Sequence, residues 1–398
     1  MTSPPHVALA GPVTTSALAE FLDADTADAP AGLGGTPLCT LVRGLLGRGY
    51  RLTVCSLDPS VRHRVTLRGN LLTLHYGPYR ERHHMRDGML AERTTIRDLI
   101  RDSRPDLVNA HWAYEYALGA LASGYPTLVT VHDWAPAILR YAPIPYWFVR
   151  QFMYFFAVRR AHALSAVSPY LCRKLEHVIG HPVSLVPNAV ETSWFTPRPR
   201  EPHLDAPLLV SVNTGFTARK NVSVLLEAVP LVRQVIPACR LVLVGPEFEA
   251  GGTAWRWANA RGLTVGVDFK GALPPALVRE LVGESNVLVH PSREEAFGMT
   301  LIEAMARRTP VVGGQGSGAV PWVLDNERAG VLADVRSPLS LAAGVVALLS
   351  DPELWGKYSE AGYRWAKTHS SAEVVVKQYL EAYERLLGHS LRSDPVRP

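Results

Sequence analysis

Short apolar runs recur along the chain, and each is followed by a stretch whose apolar residues return every three or four positions. In the first half the runs lie at 7–10, 51–56, 106–110, 127–131, 165–167 and 183–186, and the stretch 36–49 has helical spacing. Strands alternating with helices predict parallel pairing with helices on both faces of the sheet. At 197–202 prolines alternate with charged residues, so neither helix nor sheet continues there, and the segment reads as a linker. Beyond it the alternation restarts: strand 208–212, helix 221–235, strands 241–244 and 267–270, helix 274–282, then apolar runs 287–289 and 310–312 around a short helix. Residues 372–387 form an amphipathic helix. The expectation is an α/β chain of two Rossmann-like, doubly wound domains, 1–200 and 201–398, with the last helix (about 372–388) a candidate to pack back on the first. Two such domains facing each other leave a central cleft, lined by the loops after Val131, Val212 and Val289.

Composition narrows the class. The 398 residues exceed one ordinary core, and 47% hydrophobic with 19% charged residues fits a globular protein. A net charge of +5 suits anionic ligands, but the basic clusters are short (Arg80-Glu81-Arg82, Arg159-Arg160), which argues against a nucleic-acid binder. Cys39, Cys55, Cys172 and Cys239 lie far apart, without metal-ligand spacing, and read as buried thiols in a reducing compartment. Residues 1–6 lack the basic and apolar regions of a signal peptide, and no apolar run is long enough to span a bilayer, so a cytoplasmic protein is expected. High Ala, Arg, Val and Pro content suggests a GC-rich bacterial genome.

The richest stretch runs from His290 to Val312. A strand reaches a polar loop holding Ser292, Glu294, Glu295 and Gly298; a short helix carries Glu303; a second strand leads into a glycine-rich turn, Gly313 to Gly318. Parallel sheets present ligand sites in this way at their carboxyl edge, and two carboxylates eight residues apart suit hydroxyl groups. The competing local readings are capping boxes, Thr300-x-x-Glu303 and Ser292-x-x-Glu295.

Taken together the motifs resemble the retaining glycosyltransferases of family 4, which use the two-Rossmann-domain GT-B architecture. The similarity rests on Glu295 and Glu303 with seven residues between them, set among Pro291-Ser292, Phe297-Gly298, Ala304-Met305-Ala306 and Pro310-Val311-Val312. Gly34-Gly35, Thr130-Val131-His132, Val186-Pro187-Asn188-Ala189-Val190, Phe195-Thr196-Pro197 and Lys220 match in order. The chain departs from the family pattern at Ala296 (usually Gly), Arg308 (usually Gly) and Trp322 (Glu in many members). Asn213-Thr214-Gly215 occupy the place of an arginine, and Arg219 adjoins Lys220 instead.

The resemblance implies transfer of a sugar from a nucleotide-sugar donor, most commonly a UDP-sugar, to an acceptor hydroxyl with retention, without a metal or other cofactor. It implies that Glu303 accepts bonds from the ribose hydroxyls and Glu295 from the donor sugar. Amides of Ala296, Phe297, Gly298, Met299 and Thr300 would face the diphosphate at a helix N-terminus. Lys220, aided by Arg219, would neutralise that diphosphate. Glu295, His132 and Lys220 are the expected catalytic residues; Gly34, Gly35 and Asp133 would serve the acceptor or phosphate. Bland counterparts are a structural histidine for His132, a solvated basic pair for Arg219 and Lys220, and a simple turn for Gly34-Gly35.

His111 is read as structural, and Asp23-Ala24-Asp25 as a solvated loop rather than a metal motif. His83-His84 lack partners at ligand spacing. The aromatic stretch Tyr146, Trp147, Phe148, Phe152, Tyr154, Phe155, Phe156 is read as a core helix in preference to a peripheral membrane or lipid-linked-acceptor contact. The expected acceptor is a small molecule or glycan of bacterial natural-product or cell-surface glycan synthesis, its site expected at 12–33 and 136–146. Rival readings are a sugar-nucleotide epimerase or hydrolase on the same fold, and a non-catalytic nucleotide-binding protein.

Overall fold

A computed structural model describes residues 5–23, 26–196, 201–202 and 204–388. Most of the proposed linker, 197–200, and two residues of the Asp23-Ala24-Asp25 stretch lie outside these. The chain divides into two compact units, Met1–Ala189 with Ala372–Pro398, and Val190–Ser371. The division thus falls at 189/190 and again at 371/372, not at 200/201. Local bonding explains why: Val190 N–H donates to Ser370 O (2.8 Å) and Thr196 N–H to Ala306 O (3.2 Å), which ties the segment before the prolines to the second unit.

The first unit's sheet has strands β1 His6–Ala10, β2 Arg51–Asp58, β3 Val65–Arg68, β4 Leu72–Pro78, β5 Leu107–His111, β6 Thr127–Val131, β7 Ala163–Ala166 and β8 Ser184–Leu185. Their spatial order is β3-β4-β2-β1-β5-β6-β7-β8, parallel except for the β3–β4 hairpin. The sequence reading assigned no strands to that hairpin. The second sheet holds β9 Leu208–Val212, β10 Arg240–Val244, β11 Val267–Gly271, β12 Val287–His290, β13 Val311–Gly314 and β14 Val331–Ala333. All its pairs are parallel, in the order β11-β10-β9-β12-β13-β14. Strand order reverses between β1 and β5 in one unit and between β9 and β12 in the other. Such switch points are where loops at the carboxyl edge part to admit a ligand.

Helix Ala372–Leu387 completes the first unit's core. Val375, Val376, Tyr379, Ala382 and Tyr383 recur on one face and are buried there, beside Leu38, Leu41 and Leu45 of helix Thr36–Leu46. The two helices approach so closely that a Cβ on Gly44 would come within 2.5 Å of Val376 Cγ2. The second unit closes its own core around Leu209, Leu241, Val287 and Val289, with Leu225, Leu226 and Leu348 from flanking helices. All four cysteines are buried, and none is in a disulfide among the described residues. No helix among the described residues is long and apolar enough to cross a membrane.

The aromatic stretch corrects the core-helix expectation. Helix Pro145–Arg160 does bury Arg150, Met153, Tyr154, Ala157 and Val158. Its opposite face leaves Phe148, Phe152 and Phe156 exposed, Phe152 to 77%. Arg150 takes a core position because Glu115 accepts its hydrogen bond (3.1 Å) and the Tyr114 ring lies 3.7 Å under its guanidinium.

Candidate functional site

In the second unit, buried β12 (Val287–His290) delivers the chain to the loop bearing Glu295. Glu295 is buried, and its Oε1 accepts from Lys220 Nζ (2.5 Å) and His290 Nε2 (3.1 Å). Because an ionised carboxylate only accepts, His290 Nε2 carries the proton; Nδ1 is then free to accept from Thr300 Oγ1 (3.2 Å). Burial alone would raise the Glu295 carboxyl, but Lys220 beside it, then His290 and Arg219, hold it well below the usual carboxylate range. One oxygen is therefore loaded, and Oε2 takes no hydrogen bond among the described residues.

Asn221, the residue between Lys220 and helix Val222–Val235, pins this loop to that helix's start. Its Nδ2 donates to Pro291 O (3.0 Å) and Val335 O (2.6 Å), and its Oδ1 accepts from Arg293 Nε (2.9 Å). The glycine-rich turn packs on the same backbone: Ala319 N–H donates to Glu295 O (2.9 Å). A Cβ on Gly318, whose φ is +62°, would lie 2.3 Å from that oxygen.

Neither capping box forms. Helix Met299–Ala306 starts from Gly298 at φ 95°, without a side-chain cap. Thr300 lies inside the first turn and bonds His290 instead, while the Ser292 hydroxyl is buried with no partner. The first amide to bond back is Leu301, to Gly298 O (3.1 Å), so the Met299 and Thr300 amides precede the helical ladder. Phe297 is buried under the loop, and Ala296 continues it. Glu303, one turn on, is half-buried, and among the described residues its carboxylate makes no hydrogen bond or ion pair. Burial first, and the Glu191 carboxylate second, push it up to about 7.

Two family departures have visible consequences. Arg308 sits at φ 60°, a left-handed conformation that explains why glycine suits the position. Its guanidinium pairs with Glu360 and lies 3.9 Å from the Tyr363 ring, which offsets the strain. Trp322 joins an aromatic group, 5.1 Å from Trp365 and 6.3 Å from Phe297 between ring centroids.

In the first unit, His132 follows β6 and His111 ends β5, and their rings meet at Nε2 and Nδ1 (2.9 Å). Trp112, itself at φ 64°, stacks on His132 with centroids 4.2 Å apart. The proton positions follow from a chain of bonds. Asn109 Nδ2 donates to Leu128 O (3.2 Å), so its Oδ1 is the acceptor for His111 Nε2 (3.0 Å) and the Tyr383 hydroxyl (2.9 Å). With Nε2–H on neutral His111, its Nδ1 accepts from His132 Nε2–H, leaving His132 Nδ1 unprotonated, and the Asn188 side chain also hydrogen-bonds His132. Burial is the chief force that lowers both histidines, His132 to about 3, so both are neutral near pH 7. Asp133 next to it accepts from the Tyr114 hydroxyl (3.0 Å). Gly34 and Gly35 have φ of 92° and 90°; a Cβ on Gly35 would lie 2.0 Å from Pro12 O, so that glycine is required by the turn into the helix.

The sequence reading gave no role to His290, Asn221, Arg293, Asn109 or Tyr383. For His290 and Asn109 a signal existed: polar residues within apolar strands are buried and need partners. For Asn221 and Tyr383 nothing local marked them.

Known proteins bear on this arrangement. The profile of the family described as Glycosyltransferase Family 4 matches residues 35–194, and that described as Glycosyl transferases group 1 matches 194–365. An uncharacterized glycosyltransferase of Bacillus subtilis is 25% identical over 309 residues, covering 75% of this chain and 83% of its own. The chain spans about half the length of several other curated glycosyltransferases it matches. Among solved structures, a sucrose-phosphate synthase from Thermosynechococcus elongatus superposes with a TM-score of 0.76 at 19% identity, covering 96% of this chain and 99% of that one. Anabaena HepE, solved in complex with UDP-glucose, gives 0.69 at 15% identity, with 96% and 100% covered. With two successive family profiles spanning 35–365 and both parallel sheets in place, the chain belongs to the family 4 glycosyltransferases of GT-B architecture.

Proposed function

We propose that this glycosyltransferase moves a sugar from a nucleotide-sugar donor, a UDP-sugar first among candidates, to an acceptor hydroxyl with retained anomeric configuration. The acceptor would belong to bacterial natural-product or cell-surface glycan synthesis. The observation that carries the reading is the pairing of a loaded Glu295 with an unpartnered Glu303 on the helix that follows it. Glu303 is assigned the vicinal ribose hydroxyls, which two carboxylate oxygens fit. Glu295 Oε2 is assigned a hydroxyl of the donor sugar, and the Met299 and Thr300 amides the diphosphate.

Lys220 supplies charge to the leaving group, but Glu295 already engages it, so net positive charge comes from Arg219, which makes no ion pair among the described residues. His132, neutral and already hydrogen-bonded to the Asn188 side chain, is assigned contact with a donor-sugar hydroxyl. Asp133 and the Gly34-Gly35 turn are assigned to the acceptor side. In the reaction the bond between the anomeric carbon and the phosphate oxygen breaks, and a bond to the acceptor oxygen forms on the same face. The acceptor proton passes to the departing phosphate. Fixed charges lower the barrier by meeting the charge that builds on that oxygen, and no metal enters this scheme.

A thermal-shift screen with UDP-, GDP-, ADP- and dTDP-sugars tests the donor. The matched donor should raise the melting temperature, and Glu303→Gln should abolish the rise. Stabilisation by none of the four would overturn the reading. Incubation with donor alone separates it from hydrolase or epimerase action, which consumes donor without an acceptor.

A further inference from the structure

We propose that helix Pro145–Arg160 is a docking face for an anionic phospholipid bilayer. Among the described residues, Ile144, Phe148, Phe152 and Phe156 are the large apolar side chains left exposed at four-residue spacing, at 51%, 49%, 77% and 49%. Four-residue spacing puts them in one row along the helix. The remaining exposed apolar residues, such as Val235, Val265 and Leu339, are isolated from one another in sequence. The other face is fixed to the first unit by Met153, Tyr154, Ala157 and the Arg150–Glu115 pair, so the row is held rigidly outward.

Charge selects the occupant. From Trp134 to Leu175 the chain carries six Arg or Lys and no Asp or Glu. One of them, Arg150, is spent on Glu115. Arg140, Arg159, Arg160, Arg173 and Lys174 are exposed. Arg159 and Arg160 lie over the rings of Phe155 and Phe156, at 5.3 and 5.0 Å, so cation and apolar surface are presented together. A hollow of about 520 Å³ opens beside the helix end, lined by Arg159, His162 and His181 among others, and is of a size to seat a headgroup phosphate. A row of aromatic rings flanked by arginines is what partitions into the headgroup boundary of an anionic leaflet. A second copy of the same face would set Arg159 and Arg160 against their own counterparts, which disfavours a symmetric dimer.

Vesicle co-sedimentation tests this with the whole chain. The protein should pellet with phosphatidylglycerol–phosphatidylcholine vesicles, remain in solution with pure phosphatidylcholine, and be released by high salt. Phe152→Ser with Phe148→Ser should cut partitioning at least tenfold. Arg159→Gln and Arg160→Gln should each cost on the order of fivefold. Val265→Ser, at an exposed apolar site away from the row, should change nothing. Unchanged melting curves for all variants exclude unfolding as the cause. The proposal is overturned if wild type stays in the supernatant with anionic vesicles. It is equally overturned if Phe152→Ser abolishes a concentration-dependent dimer while vesicle binding persists.

Discussion

Lys220 and Glu295, 75 residues apart in sequence, meet as a buried ion pair with 12% and 11% of their side chains exposed. The pair joins the loop after β9 to the loop after β12, the two strands on either side of the switch point. Removing one partner of such a pair leaves an uncompensated buried charge. Lys220→Met should therefore cost about 3–5 kcal/mol in denaturant unfolding. Lys220→Met with Glu295→Gln should be more stable than Lys220→Met alone. Strict additivity of the two changes would show that the pair does not couple.

Glu303 gives a stability effect of opposite sign. Its carboxyl stands at about 7 in the folded protein against 4.5 ordinarily, with burial the larger cause and Glu191 the second. Below the ordinary value both states hold the proton and the contribution is fully present. It is lost as pH rises through about 7, because the folded state resists ionisation. Glu303→Gln should stabilise the free protein at pH 8 by about 1–3 kcal/mol, the lower figure favoured by its partial exposure, and leave it unchanged at pH 4. Donor affinity should move the other way, falling by a factor of ten or more with loss of a charged acceptor. A Gln variant that melts earlier than wild type at pH 8 would contradict this placement.

The Asn109–His111–His132 chain predicts a specific tautomer. Nitrogen-15 spectra of the imidazoles should show His132 protonated at Nε2 and bare at Nδ1, with no titration between pH 5 and 8. Asn109→Leu removes the acceptor that orients His111, so His132 should populate both tautomers while KM for the donor rises. An unchanged His132 spectrum in that variant would leave Asn109 a merely structural residue. Tyr383→Phe, which keeps the His111 bond, should cost only about 1 kcal/mol and no tautomer change.

Arg308 separates backbone strain from side-chain contact. Arg308→Gly and Arg308→Ala both lose the Glu360 pair and the Tyr363 stack. Only glycine accommodates φ 60° freely, so the Gly variant should be the more stable of the two by about 1 kcal/mol. Equal melting temperatures would mean the backbone relaxes on truncation.

How much of this is legible in the sequence depends on the range of each interaction. Strands at 127–131 and 208–212 and the helix at 372–387 were placed to the residue, because buried parallel strands and amphipathic helices write their period locally. The β3–β4 hairpin is not legible in the sequence, because Val65–Arg68 is only half-buried and edge strands carry a weak pattern. The aromatic helix departs from the core-helix expectation because hydrophobicity alone does not say which side faces water. Arg150 turned inward to Glu115 while three phenylalanines turned out.

Local order of residues was enough to determine two parallel α/β sheets, the carboxylates of the loop and helix after β12, and family membership, since period and motif spacing are properties of the chain itself. Tertiary structure alone decided that Glu295 keeps one oxygen free, that Glu303 stands near neutrality, and that His132 holds its proton at Nε2. Those states depend on Lys220, on the burial of Glu303 with Glu191 nearby, and on Asn109, all set only when distant strands register side by side.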